Sequence, residues 1–127
     1  MVAPAESPGE SDADLLTALP FVRFNRRAGV GRVIDAALRE RGIAVQERME
    51  LDSIESILMM VSRGLGAAVA PERSISEAQR ELLKCLPFGD PPLHRRVALV
   101  ERASGDSTVL TDALHGALVE VAGTWER

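Results

Sequence analysis

The side chains of this sequence that could do chemistry are few and scattered. Cys85 is the single cysteine, set in Leu82-Leu83-Lys84-Cys85-Leu86-Pro87, apolar company in which a small buried thiol is expected. No neighbouring sequence feature supplies the helix N-terminus or base that would turn it into a nucleophile. Ser53, Ser56, His94 and Asp112 are the group types of a hydrolytic triad, but no Gly-x-Ser-x-Gly elbow places a serine on a strand-to-helix turn. One cysteine excludes an internal disulfide, and with His94 and His115 as the only histidines a structural zinc site is not expected. Gly29-Val30-Gly31-Arg32 is part of a glycine-rich phosphate loop. It lacks the third glycine of the dinucleotide fingerprint and the Gly-Lys-Ser/Thr of the P-loop. The reading is therefore no catalytic residue, no metal and no cofactor.

Anion binding has better support. Four arginines, Arg23, Arg26, Arg27 and Arg32, fall within ten residues. The plain account of them is a solvated loop and helix start. The alternative is a small-anion site: a strand ending in Asn25-Arg26-Arg27 and entering a helix near Gly29 aims backbone N–H groups and cations at one spot. Asp52-Ser53 forms a second strand-to-helix junction of the same kind. In a parallel α/β sheet both junctions share the carboxyl edge, where ligands bind. Every α/β protein has such an edge, so the residues alone leave open whether this one is used.

The elements that must position these loops are legible from periodicity. Residues 20–25 (PFVRFN) read as a strand leaving into the arginine loop. Val30, Val33, Ile34, Ala37, Leu38 and Arg41 share one side of an amphipathic helix over residues 30–41. Residues 44–51 alternate as a strand with one wet face, with Val45, Glu47, Met49 and Leu51 on one side and Gln46, Arg48 and Glu50 on the other. Ile54, Ile57, Leu58, Val61 and Leu65 then follow at helical spacing, with Asp52 or Ser53 as cap. The adjacent Met59 and Met60 cannot both face the core centre, so one belongs at a flank. Residues 66–71 (GAAVAP) read as a short buried strand ending in proline. Strand, helix, strand, helix, strand over about fifty residues implies parallel strands with right-handed crossovers.

The flanks are less regular. Residues 1–14 (MVAPAESPGESDAD) have the composition of a flexible lead-in, although Val2-Ala3-Pro4 could close a strand, and Leu15, Leu16 and Leu19 suggest a helical turn. Residues 76–83 read as a short helix with Ser76 and Gln79 at capping spacing, residues 86–93 as a turn-rich connection, and Val97-Ala98-Leu99-Val100 as a strand. Gly105-Asp106-Ser107 precedes a final amphipathic helix on Leu110, Leu114, Ala117, Leu118 and Val121.

Composition narrows the function classes. The 127 residues suffice for one domain, and 46% hydrophobic residues with only three Phe, one Trp and no Tyr require an aliphatic core. Few aromatics argue against a stacking platform for single-stranded nucleic acid. A formal charge of −4 argues against phosphate-backbone binding by this chain alone. No run of 18 apolar residues spans a membrane, and residues 1–14 lack the pattern of a secretory signal, so a cytoplasmic protein is expected.

The stretch from Leu19 to Pro71 resembles the effector domain of LysR-type transcriptional regulators. The resemblance is carried by Glu50-Leu51-Asp52-Ser53-Ile54-Glu55-Ser56-Ile57 and by Val61-Ser62-Arg63-Gly64-Leu65-Gly66-Ala67-Ala68-Val69-Ala70-Pro71. Those segments look like a strand, a helix opening at a polar residue, Gly-Leu-Gly and an apolar strand closed by Pro. Pro20-Phe21-Val22-Arg23-Phe24-Asn25-Arg26-Arg27 is similar to the strand and loop that open the family's second subdomain, and from Val97 onward the pattern fits its return into the first.

The resemblance implies an α/β, periplasmic-binding-protein-like (type II) lobe with a parallel-rich sheet flanked by helices, and an incomplete first lobe. Residues 1–18 would be a lead-in or crossover remnant, 19–71 the effector-binding second lobe, and 72–127 the return segment with a strand and helix of the first lobe. Effector-facing positions carried over are Asn25, Arg26, Arg27, Gly29, Asp52, Ser53, Ile54 and Pro71. The cationic first loop suits a small carboxylate-bearing effector. The family also implies DNA contact only through an N-terminal domain outside this sequence, and a homodimer or higher homo-oligomer. A stand-alone dimerisation protein derived from such a domain is the competing expectation.

Overall fold

A computed structural model describes residues 1–101 and 108–124, in two compact units, 1–93 and 94–127. In the first unit, β1 (Val2–Pro4) is followed by α1 (Asp12–Ala18), β2 (Pro20–Phe24), α2 (Gly29–Glu40), β3 (Gln46–Leu51) and α3 (Ile54–Ser62). A 3-10 turn (Glu72–Ser74), α4 (Glu77–Arg80) and β4 (Leu83–Cys85) complete it. The second unit holds α5 (Val109–Gly123).

β2 and β3 pair in parallel, and β1 and β4 pair antiparallel. The apolar run after α3 joins the two pairs. Val22 N donates to the Ala67 carbonyl at 2.9 Å and Ala67 N to the Pro20 carbonyl at 2.8 Å, while Ala68 exchanges both bonds with Val2 at 2.8 and 2.9 Å. The order is thus β3, β2, the Ala67-Ala68 segment, β1, β4, with β1 alone running against the other four. The expected strand over 66–71 is in fact two single bridges, one residue facing each neighbour. Gly66 makes the approach possible. A Cβ there would lie 2.1 Å from the Pro20 carbonyl oxygen, and its φ of +144° is one that side chains rarely adopt.

Alternation along these strands sorts the core onto two faces. Ala3, Phe21 and Ala67 share one face with Leu15 and Leu16 of α1 and Ile34 and Leu38 of α2. Val2, Val22 and Ala68 share the other with Ile57, Leu58 and Val61 of α3, and with Ile75 and Leu83. The largest side chains wholly withdrawn from solvent are Phe21, Leu15, Leu16, Ile57 and Leu58. The helices flank both faces, as expected for a parallel-rich sheet.

Several expectations change at the flanks. Residues 1–14 do not form a flexible lead-in: Met1, Val2 and Ala3 are buried, and Ser11 opens α1 with a capping box to Asp14. Their polar composition reflects the exposed turn between two core elements. The expected helix over 76–83 is a single turn, Glu77–Arg80, capped by Ser76 and Gln79, after which Leu83 pairs with Pro4 in β4. Cys85 is exposed rather than buried, because it ends that edge strand. Val33 is also exposed; α2 buries Gly31, Ile34 and Leu38 instead. Met59 is the exposed one of the two adjacent methionines.

In the second unit, Val97-Ala98-Leu99-Val100 forms no strand, since no described segment pairs with it, and Val97, Leu99 and Val100 are exposed. The final helix forms as expected, but Thr108 caps it through Thr111. Gly105-Asp106-Ser107 lies outside the described residues. Leu110, Leu114, Ala117, Leu118 and Val121 all lie exposed along it. Among the described residues no helix is long and apolar enough to cross a membrane, and no cluster of three metal-ligating side chains occurs.

Asp12 ties three elements together. Its carboxylate accepts from Arg41 Nη1 and Nη2 at 2.6 and 2.9 Å and from Gly89 N at 2.8 Å, while the Arg41 guanidinium lies 5.3 Å from the centre of the Phe88 ring. The Arg41 hydrogen bonds hold the Asp12 carboxyl below the usual carboxylate range, against a smaller opposing effect of burial. A carboxylate with a lowered folded-state pKa contributes stability above its unfolded value near ~3.9, and that contribution disappears as pH falls through the folded value. Asp12→Asn should therefore cost about 1–3 kcal/mol at neutral pH. Chemical denaturation of both proteins should show the difference shrinking from about pH 5 toward pH 3; a constant gap would contradict it. Gly66→Ala should cost about 1–3 kcal/mol or more by the same measurement, through its steric conflict with the Pro20 carbonyl. An unchanged midpoint would show that the Ala67-Ala68 segment does not sit this close to β2.

Candidate functional site

Register places the exits of β2, β3 and the Ala67-Ala68 segment on one edge of the sheet, the carboxyl edge of all three. Phe24 pairs with Leu51, and Asn25 N extends that pairing to the Leu51 carbonyl at 2.9 Å. Asn25 and Asp52, the first residues beyond the two strands, are hydrogen-bonded side chain to side chain. The two strand-to-helix junctions singled out by sequence thus form one ledge. Residues 70 and 71 reach the same edge, since Ala67 is level with Phe21 in a parallel bridge.

The β2–α2 loop is a tight turn. Asn25 Oδ1 accepts from Arg27 N at 2.8 Å, Ala28 N donates to the Asn25 carbonyl at 3.1 Å, and Arg32 Nη1 donates to the Arg27 carbonyl at 2.7 Å. α2 starts so close to this turn that a Cβ on Gly31 would lie 2.1 Å from the Asn25 carbonyl oxygen. Ala28, the residue before α2, offers no side-chain cap. The N–H groups of Gly29, Val30 and Gly31 have no partner among the described residues, as at any uncapped helix start. α3 differs: Ser53 Oγ accepts from Ser56 N at 3.3 Å and donates to Glu55 Oε2 at 3.1 Å. Ser53 is occupied as a cap, and the Ile54 side chain packs into the core with Phe24, Met49 and Leu51. Pro71 precedes the 3-10 turn.

The arginines fall into two classes. Arg26 N donates to Glu50 Oε1 at 3.0 Å, Arg26 Nε to Glu50 Oε2 at 3.1 Å, and Arg26 Nη2 pairs with Glu47. Glu47, then Glu50, raises the Arg26 pKa further, and the Arg26 N–H is the main cause of a lowered Glu50 pKa. Arg23, only 8% exposed, pairs with Asp35 of α2 and sets its Nε 2.8 Å from Glu47 Oε2, without the alignment of a hydrogen bond. The Arg27 guanidinium is exposed and has no partner among the described residues.

Glu47 and Glu50 are site residues that the alternation rule hides. A bulge at Arg48 lets Phe21 pair with Glu47 and Val22 with Met49. The extra residue shifts the pleat, so Glu47 and Glu50 share the face of Phe21 and Arg23, while Met49 and Leu51 share that of Val22 and Phe24. The expected grouping of Glu47 with Met49 and Leu51 is thereby corrected. The one sequence signal available was charge: two glutamates in a strand beside one that carries Arg23 and is followed by Arg26.

Two shallow hollows among the described residues lie at the other edge of the sheet. One, of about 170 Å³, is lined by Ala37, Arg41, Phe88 and Asp90, and the other, about 450 Å³ and wide open, by Pro4, Arg63, Gly64 and Leu82. The carboxyl edge itself is a ledge rather than an enclosed cavity.

Residues 1–123 match the family model described as the LysR substrate binding domain. The chain is 30% identical over 86 residues to the "Probable nitrogen assimilation transcriptional activator" of Synechococcus elongatus, covering 67% of this chain and 28% of that protein. It is 40% identical over 70 residues to the "Probable RuBisCO transcriptional regulator" of Guillardia theta, covering 53% of this chain and 22% of that protein. The matched regions thus span less than a third of either relative's length. The chain belongs to the LysR substrate-binding-domain family, a periplasmic-binding-protein-like α/β domain of transcription regulators.

Proposed function

We propose that this chain senses a small carboxylate-bearing effector at the carboxyl edge of its sheet, and is a sensor rather than an enzyme. The observation that carries the reading is the β2–α2 junction. There, the exposed Arg27 comes two residues before the uncapped start of a 12-residue helix, whose first N–H groups have no partner among the described residues. Cations and helix N-termini both favour anions, and a planar guanidinium matches a carboxylate. Asn25, Arg27, Gly29, Asp52, Ser53, Ile54 and Pro71 remain the proposed effector-facing set, with Arg26 in the same loop committed to Glu50 and Glu47. Asn25, Asp52 and Ser53 shape the ledge, and Gly29 and Ile54 contribute main-chain N–H groups. An open ledge is half of an effector pocket; a first lobe closing over it would supply the rest. Residues 19–71 would then be the effector-facing lobe, and residues 72–127 the segment that returns to the first lobe. DNA contact would come through an N-terminal domain outside this sequence, in a cytoplasmic regulator.

A second reading, homo-oligomerisation, is favoured by α5. Leu110, Leu114, Leu118 and Val121 lie along one side of it and are all exposed, an apolar stripe that a partner surface would cover.

Acetate, succinate and citrate serve as mono-, di- and tricarboxylate probes. In an amide-resolved NMR titration at least one should shift residues 26–31 and 52–56. Shifts confined to the hollow at Arg41 and Phe88, or none with any of the three, would count against the carboxyl edge.

A further inference from the structure

We propose that Arg26 is a positioning residue of the β2–α2 loop, and that Arg27 is the cation that meets the ligand. The proposal rests on the effector reading above and divides the work between two adjacent residues that sequence treats alike.

Arg26 is committed three times over. Its main-chain N–H and its Nε both reach Glu50, and its Nη2 reaches Glu47. Glu47 is shared with the buried Arg23, which is paired in turn with Asp35 on α2. A ligand carboxylate that took Arg26 would have to displace Glu50. It would then face Glu47, Glu50 and Asp52 with their charges less compensated, an unfavourable meeting of like charges. The geometry of these contacts instead fixes the turn against β3 and, through Arg23, against α2. A forked guanidinium can hold two carboxylates at once; an ammonium cannot do so in the same geometry.

Arg27 has the complementary arrangement. Its N–H is bound to Asn25 Oδ1 at 2.8 Å and its carbonyl accepts from Arg32 Nη1 at 2.7 Å, so the backbone is held on both sides. Its guanidinium is exposed and unpaired among the described residues. A fixed backbone with an uncommitted cationic head gives a ligand charge a partner at little cost in order.

Succinate titration and amide hydrogen exchange on the whole chain test this. Arg27→Ala should weaken succinate binding about tenfold, the loss of one charge-assisted contact, and leave exchange at residues 25–31 unchanged. Arg27→Lys should restore most of the binding. Arg26→Lys should raise exchange at residues 25–31 and should not restore the order of the wild-type loop. Glu50→Gln decides between the roles. If Arg26 only positions, Glu50→Gln raises loop exchange and binding stays equal or weakens. If Glu50→Gln tightens succinate binding severalfold, Arg26 is a ligand contact restrained by Glu50, and the proposal is overturned. Unchanged exchange in both Arg26→Lys and Glu50→Gln would also overturn it. A wild-type chain that ignores acetate, succinate and citrate alike but shows the loop exchange changes would keep the role of Arg26 and remove that of Arg27 together with the effector reading.

Discussion

Two alanines hold this domain together. Ala67 is bonded to β2 and Ala68 to β1, so a segment too short to form a ladder converts two separate ribbons into one sheet. A two-stranded ribbon has little independent stability, and burial on both faces needs neighbouring strands. The constraint is steric as well as electrostatic. Ala67 and Ala68 are wholly buried, and Gly66 lets the backbone reach the Pro20 carbonyl. Larger side chains at this seam would separate Phe21 from Ala3 on one face and Val22 from Val2 on the other, and with them the helix packing on both sides.

The candidate site inherits its geometry from that seam. Three segments leave the sheet on one edge because β2, β3 and the Ala67-Ala68 segment run in parallel. The edge takes its particular form from how the first loop is anchored. Asn25 and Arg26 are tied to Asp52, Glu50 and Glu47 across the strands, and Gly31 permits α2 to start against the turn. The acids of β3 neutralise one arginine, so the ledge is less cationic than its count of arginines implies. On the proposed reading, an anion at this edge would meet Arg27 and main-chain N–H groups rather than a general positive field.

Much of this was legible in the sequence because it rests on local rules. α2 and α3 follow from 3.6-residue spacing, β2 from its apolar run before the arginines, and the two junctions from the order of elements. The remainder depended on tertiary context. β4 is three residues long and exists because β1 pairs with it. Polar residues 5–11 masked that Val2 and Leu15 on either side are core. The bulge at Arg48 inverted the faces of Glu47, and no period-2 pattern reports a bulge. Val97 to Val100 has strand propensity but no described partner, and propensity without pairing makes no strand. The functional family was visible in residues 50–71, whereas the partners of Arg26 became visible only once the strands were in register.

The most direct test of this account is amide hydrogen exchange, residue by residue, in the free chain under native conditions. If the seam holds the sheet, the bonded N–H groups of Val2, Val22, Ala67 and Ala68 should exchange together in the slowest class, at the rate of global unfolding. Fast exchange at Ala67 and Ala68 beside slow exchange in β2 and β3 would contradict it. The two ribbons would then be separate, and the carboxyl edge would lose the scaffold on which its proposed function stands.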